Sequence, residues 1–312
     1  MSYQNRKVLV TGGNGFLGTH LVRELKKAGC QVTSLAKDIH KNKEVGVTHF
    51  CGDVRDAGKI RELLKADFDF IFHLAGLVSV VDSVKEPALY FDVNVNGTLM
   101  LLEEVRKAGR GCRIIFSSTG LIYGNPLYTP VDEKHQISPA SPYAASKAAA
   151  DALCQAYGRS YGMDISILRL FNIYGPGQSA ANLIPSVAIQ ALKGNTIKIG
   201  SPGSTRDFCY VKDAIEAFIR VGLSDRRGEV YNLGTGISTR VETIAKMIAR
   251  IANIDARIEV DESKVREGES GMLDVKADNS RLASTGWKPR YSLDKGLSET
   301  VEWYKDNINS FS

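Results

Sequence analysis

The 312-residue sequence predicts an α/β protein built on a doubly wound parallel sheet, with a smaller C-terminal lobe. Three observations carry that expectation. Short apolar runs alternate with amphipathic stretches through the first half. Most of the runs are apolar throughout rather than at every second residue, as strands covered on both faces require. A glycine triplet also marks the junction between the first run and the first amphipathic stretch.

The strand candidates are "KVLVTG" (Lys7–Gly12), "QVTSLA" (Gln31–Ala36), "VTHFCG" (Val47–Gly52), "FDFIFHLAG" (Phe68–Gly76), "RIIFSS" (Arg113–Ser118) and "ISILRLFN" (Ile165–Asn172). Between them, "GFLGTHLVRELKKAG" places Phe16, Leu17, His20, Leu21, Glu24 and Leu25 at helical intervals. "NGTLMLLEEVRKAG" (Asn96–Gly109) and "YAASKAAADALCQAYGRSYG" (Tyr143–Gly162) behave likewise, each ending on a glycine suited to a helix C-terminus. After Asn172 the texture turns loop-rich, with "YGPGQSAANLIPS" and "IGSPGSTRDF". Residues 1–172 are therefore expected to form the sheet domain. Residues 173–312 should form mainly the second lobe, with some segments returning to the first.

Composition is that of an ordinary globular chain, which excludes disorder and fibres. A net charge of +5 without a dense Lys/Arg run argues against nucleic acid as the main partner. The five cysteines (Cys30, Cys51, Cys112, Cys154, Cys209) form no CxxC and lack zinc-finger spacing to a histidine, so buried reduced thiols and no metal are expected. No apolar run reaches 18 residues, and "MSYQNRKVLV" is too polar for a secretory signal, giving the expectation of a soluble cytoplasmic protein.

In "VLVTGGNGFLGTHL", Gly12, Gly15 and Gly18 stand as G-x-x-G-x-x-G between a strand and a helix. A tight turn, close backbone approach to a pyrophosphate and a helix N-terminus beside the anion all call for that pattern, so the first domain is read as dinucleotide-binding. The Walker alternative fails, because Thr19 and His20 occupy the Lys and Ser/Thr places. The second strand ends at Ala36 followed by Lys37, where NAD-binding chains place a ribose-binding carboxylate. A small neutral residue and a cation suit the 2′-phosphate of NADP. Alternatively, Asp38 reaches the ribose of NAD and Lys37 is a solvated charge. Asp53 in "GDV" is a candidate for the adenine amino group, with Val54 beside it, or else a plain strand-end turn.

"SPYAASKAAAD" sets Tyr143 four residues before Lys147. Spacing alone says little, since Tyr3/Lys7 and Tyr291/Lys295 share it. Taken together, "TGGNGFLG", "GDV", "HLAG", "NVNGT", "FSSTGLIYG", "SPYAASK", "RLFNIYGPG", "STRDFCYVKD" and "YNLGTG" resemble, in order and over nearly the whole chain, the extended short-chain dehydrogenases. More narrowly, the chain resembles their nucleotide-sugar epimerases, dehydratases and reductases, which implies a Rossmann-type sheet with a substrate-binding lobe.

The resemblance makes Tyr143 the general acid/base, Lys147 its helper and Thr119 a donor to the same sugar oxygen. It places Phe16, Leu17, Leu74, Ala75, Gly76 and Asn94 along the cofactor, and Ser117 and Phe171 near the nicotinamide. Asn172, Asn182, Leu183, Arg206 and Arg266 match positions that hold a nucleotide diphosphate sugar. Free phenol titrates near 10, so an adjacent ammonium and an oxidised nicotinamide are expected to lower the Tyr143 pKa. His73, with no Ser or Cys nearby, is expected only to pack at a strand end.

Dehydratases of the family carry Asp–Glu after the catalytic Thr, where this chain has Gly120 and Leu121. Many UDP-galactose 4-epimerases have Lys where Val78 stands, and keep the Asp replaced by Ala36. These departures favour NADPH-dependent reduction of a 4-keto(-6-deoxy) nucleotide sugar over NAD-dependent C4 epimerisation. A non-catalytic dinucleotide-binding regulator is the remaining class. The resemblance also implies a homodimer.

Overall fold

Alternate side chains along each central strand go to opposite sides of the sheet, and both sides are buried. Val8, Val10, Phe70, Phe72, Ile115 and Leu168 join one apolar cluster; Leu9, Ile71, Ile114, Phe116 and Ile167 join another. Period-two geometry with two covered faces is why these strands read as unbroken apolar runs. The computed structural model describes residues 2–39, 43–109, 111–265 and 275–311.

The first half runs β1 (Lys7–Thr11), α1 (Phe16–Lys27), β2 (Gln31–Ala36), β3 (Thr48–Cys51), α2 (Ala57–Leu63), β4 (Phe70–His73), α3 (Val80–Lys85), α4 (Pro87–Phe91), α5 (Gly97–Ala108), β5 (Arg113–Thr119), α6 (Pro142–Tyr161) and β6 (Ile165–Leu170). The second half follows with β7 (Asn172–Tyr174), α7 (Leu183–Lys193), β8 (Thr196–Ile199), β9 (Thr205–Tyr210), α8 (Val211–Leu223), β10 (Val230–Leu233), β11 (Ser238–Arg240), α9 (Val241–Ile251), β12 (Arg257–Val260), α10 (Ser280–Ala283) and α11 (Leu293–Asp306).

The main sheet has seven strands in the order β10-β6-β5-β4-β1-β2-β3, parallel at every pairing. Strand order reverses between β1 and β4, and in such sheets a ligand crevice opens beyond the carboxyl ends of the strands at that point. Chain positions 230–233 return to this sheet, while β7, β9 and β11 form a small sheet of their own and β8 pairs with β12. The glycines read as helix stops behave as such: Gly109 and Gly162 cap α5 and α6 in the left-handed conformation, at φ 64° and 65°.

The thiols are less uniformly buried than expected. Cys154 and Cys209 are buried, but Cys51, at the end of β3, is exposed because that strand is the sheet edge. Among the described residues no cluster of His, Cys, Asp or Glu could hold a metal, and no helix is long and apolar enough to cross a membrane.

Candidate active site

Beyond β1 the backbone reverses at Gly12, whose φ of +70° suits glycine. A Cβ there would lie 2.8 Å from the Ala75 amide nitrogen, so the turn rests directly on the Leu74–Gly76 loop after β4. At Gly18 an added Cβ would fall 2.1 Å from the Gly12 carbonyl oxygen, and only a hydrogen lets α1 close onto the strand. Gly15 is the N-cap of α1 and offers no side chain to its amides. The result is a glycine-lined cradle at the N-terminus of a 12-residue helix, at the switch point of the sheet. It fits the pyrophosphate of a dinucleotide. Phe16 and Leu17, the first helical residues, are half-buried beside it.

The outer rim of this crevice carries charge. Lys37, just past Ala36, pairs with Asp53 at 2.9 Å, and Arg55 holds the same carboxylate at 2.6 Å. Hydrogen bonding from Arg55, then from Lys37, keeps the Asp53 carboxyl well below the usual range. Arg55 also pairs with Asp92. Val54 is buried beneath Gly97, where an added Cβ would come within 2.7 Å of it.

Helix α6 presents Tyr143 and Lys147 one turn apart, on one side. Ser141 is its N-cap, accepting a hydrogen bond from the Ala144 amide at 3.2 Å, and Pro142 occupies the first turn, where no amide hydrogen is needed. Both functional side chains are buried. The Tyr143 ring packs edge-on to Tyr90, and the Lys147 ammonium lies 4.4 Å over the Phe116 ring. Its Nζ is also close to Gly76, where a Cβ would be 4.0 Å away.

The expected acidification of the phenol is not what the fold itself produces. Burial pushes Tyr143 up to about 12, opposed by a hydrogen bond from Thr119. The same burial takes the Lys147 ammonium down to about 8, against the pull of Cys154 and Asp151. Desolvation outweighs attraction because neither charged form is solvated. Thr119 caps the short turn Gly120–Tyr123 by accepting from the Leu121 amide at 3.2 Å, and its own hydroxyl donates to the Leu170 carbonyl at 3.5 Å. A Cβ at Gly120 would crowd the Phe171 ring at 3.0 Å, so the glycine keeps that ring against the turn.

His73 does more than pack. Its ring nitrogens contact Thr11 Oγ1 at 2.7 Å and Thr98 Oγ1 at 3.1 Å. Thr98 donates to the Asn94 carbonyl, so it accepts from His73 Nε2–H, and Nδ1 accepts from Thr11. Burial, with repulsion from Lys147, drives His73 down to about 3 and keeps it neutral. Asn94 lies in a π-helical turn spanning Asp92–Asn96. Its amide donates to the Leu77 carbonyl and to Ser146 Oγ, and its Oδ1 accepts from the Leu77 amide. Ser146 in turn donates to the Tyr143 carbonyl at 2.8 Å. Hydrogen bonds thus tie the glycine cradle to the helix that carries Tyr143. No sequence pattern announced this relay, because its bonded partners are 3 to 62 residues apart.

On the other side, Ser117 lies on β5 and Phe171 follows β6. Asn172 donates to the Asp207 carbonyl at 3.4 Å, Asn182 is the N-cap of α7, Leu183 opens that helix, and Arg206 stands on β9. Arg266 lies outside the described residues. Asp207, missed in the sequence, is fully buried and accepts from the amides of Thr235, Gly236 and Ala277 and from the Thr235 hydroxyl. It fixes two loops beside Arg206. Only its place in "STRDF" hinted at a role.

The model of the "NAD dependent epimerase/dehydratase family" matches residues 8–234, and the chain belongs to that family. A putative UDP-glucose 4-epimerase of Methanocaldococcus jannaschii is 34% identical over 96% of this chain and 99% of its own length. A GDP-6-deoxy-D-mannose reductase of Pseudomonas aeruginosa is 30% identical over 97% and 98%. Among solved structures, the UDP-glucose 4-epimerase of Thermotoga maritima with UDP-glucose superposes with a TM-score of 0.90 at 29% identity, covering 97% of this chain and 99% of that one. RMD from Pseudomonas aeruginosa complexed with NADPH gives a TM-score of 0.86 at 28% identity, covering 97% and 100%. The protein is an NAD(P)-dependent enzyme of the nucleotide-sugar epimerase, dehydratase and reductase group.

Proposed function

We propose that the protein reduces the 4-keto group of a nucleotide diphosphate sugar, with a 6-deoxy sugar as the leading candidate and NADPH as reductant. The observation that carries this reading is the burial of the Tyr143 phenol with Thr119 beside it, which pushes the phenol up to about 12. Reduction needs a proton donor at the carbonyl oxygen, and a phenol held near 12 is fully loaded at neutral pH. Starting instead by oxidising a sugar hydroxyl, as an epimerase does, needs the phenolate.

A bound NADPH supplies the hydride. Gly12, Gly15, Phe16, Leu17 and Gly18 would hold its pyrophosphate, Leu74, Ala75 and Gly76 the adenosine side, and Lys147 the nicotinamide ribose. Tyr143 delivers the proton and Thr119 polarises the same oxygen. Asn172, Asn182, Leu183, Arg206 and Arg266 are the candidates for the sugar nucleotide. Gly120 and Leu121 after Thr119 leave no acidic pair for water elimination. C4 epimerisation of a UDP-sugar by the same residues is the second reading, favoured by the two UDP-glucose 4-epimerases among the relatives above. Mixing protein, NADPH and 4-keto sugar nucleotides of several bases separates the two. Loss of NADPH absorbance supports reduction; none with any base, alongside interconversion of UDP-sugars on added NAD, supports epimerisation.

Lys37 is the proposed reader of the 2′-phosphate, exchanging Asp53 for it while Arg55 keeps that carboxylate neutralised. Lys37→Ala is expected to weaken NADPH binding about tenfold, the scale of one charged hydrogen bond, and to leave NADH unchanged by calorimetry. Equal losses for both cofactors would remove Lys37 from that role.

Lys147 gives a pH dependence. With its folded pKa lowered to about 8, the unfolded chain holds more protons between there and the ordinary lysine value. Stability contributed by this group is therefore full above the ordinary value and lost as pH falls through 8, while its positive charge is lost as pH rises through 8. Affinity for the anionic dinucleotide is expected to fall above pH 8, and Lys147→Met to flatten that fall in a binding titration.

A further inference from the structure

Beneath the catalytic residues lies a buried ion pair that the chemistry itself does not use. Arg169, on β6, meets Asp151, one turn beyond Lys147 on α6, through Nε to Oδ2 at 3.0 Å and Nη2 to Oδ1 at 3.1 Å. Their side chains are 4% and 0% exposed. Two more donors complete the carboxylate: Ser118 Oγ at 2.8 Å and Gln155 Nε2 at 2.7 Å. The third guanidinium nitrogen donates to the Tyr123 hydroxyl at 2.9 Å, and the guanidinium lies 5.3 Å over the Tyr123 ring.

The attachments straddle one residue. Ser118 immediately precedes Thr119, Tyr123 closes the turn that Thr119 caps, and Asp151 rides on the helix that carries Tyr143. We propose that the Asp151–Arg169 pair is a positioning clamp that sets Thr119 against Tyr143, with Ser118 and Tyr123 as its two grips. A fork bonded through both oxygens fixes distance and orientation together, which a single hydrogen bond or an apolar contact would not. Burial keeps water from competing for either partner. The inference rests on Thr119 and Tyr143 acting on one oxygen, as proposed above. Its effect falls on the chemical step rather than on binding, because the hydrogen bonds of the pair run to Ser118, Gln155, Tyr123 and the Glu133 carbonyl, none of them a residue of the glycine cradle or of the Asn182–Arg206 side.

Removing Asp151 or Arg169 would leave a buried charge unpaired and endanger folding, so the grips are the better test. Ser118→Ala and Tyr123→Phe each delete one hydroxyl and leave the ion pair in place. In the folded protein each is expected to lower kcat about tenfold, with KM for NADPH and sugar within twofold, and Ser118→Thr to restore kcat. A second readout needs no substrate: the ζ-¹³C resonance of Tyr143, assigned with Tyr143→Phe, is expected to shift in both variants as Thr119 moves off the phenol. Variants that fold, keep wild-type kcat and leave that resonance in place would overturn the clamp. Absence of turnover in the wild-type protein would count against the proposed reaction, and the clamp would then stand or fall on the resonance.

Discussion

Tyr143→Phe is expected to lower turnover about 10²–10⁴-fold, the range that loss of a positioned acid produces. That corresponds to roughly 3–5.5 kcal/mol of transition-state stabilisation. The ring stays, so its packing against Tyr90 and the course of α6 survive. Only the hydroxyl goes, and with it the polar group beside Thr119. Thermal midpoint and NADPH affinity should therefore hold while kcat collapses. If the loss appeared in KM instead, the phenol would be a binding group and the proton would come from elsewhere.

Gly18→Ala is expected to have the second-largest effect, and on binding rather than chemistry. The new Cβ would sit 2.1 Å from the Gly12 carbonyl oxygen and 2.7 Å from the Gly13 Cα, all backbone atoms that no rotamer change can move aside. Helix α1 must lift away from β1, which opens the cradle and turns its N-terminus from the anion. Dinucleotide affinity should fall at least about 100-fold, since backbone amides at a helix N-terminus act only at close range. A smaller loss of stability should accompany it. Titration by nicotinamide fluorescence, with circular dichroism as the control for folding, reads both. Unchanged affinity in a folded variant would mean that this turn is not the phosphate site.

These two residues were legible in the sequence for different reasons. Gly18 is fixed by a local rule: a strand, a tight turn and a helix in consecutive residues leave their signature in one short stretch. Tyr143 needed the whole ordered set of motifs, because Tyr3/Lys7 and Tyr291/Lys295 have the same spacing. In the structure Tyr3 is buried in the core against Phe70, and Lys295 lies over the Tyr291 ring, both ordinary packing roles.

What the sequence hid was non-local. His73 looked like filler because Thr11 and Thr98, its partners, lie on a neighbouring strand and on α5. The Arg169–Asp151 pair likewise makes sense only once β5, β6 and α6 are side by side, and Asp207 only once β9 meets Thr235, Gly236 and Ala277. The upward push that burial gives Tyr143 was hidden for a related reason. A nearby ammonium can be read from spacing, whereas the burial that outweighs it comes from packing.

Hydride destination tests the central claim most directly. NADPH dideuterated at C4 of the nicotinamide, incubated with enzyme and a 4-keto nucleotide sugar, should give a product one mass unit heavier, with the deuterium located at C4 of the sugar by NMR. NADP should form in equal amount. A product without deuterium, or a sugar whose C4 inverts while the reduced cofactor is untouched, would contradict the reductase.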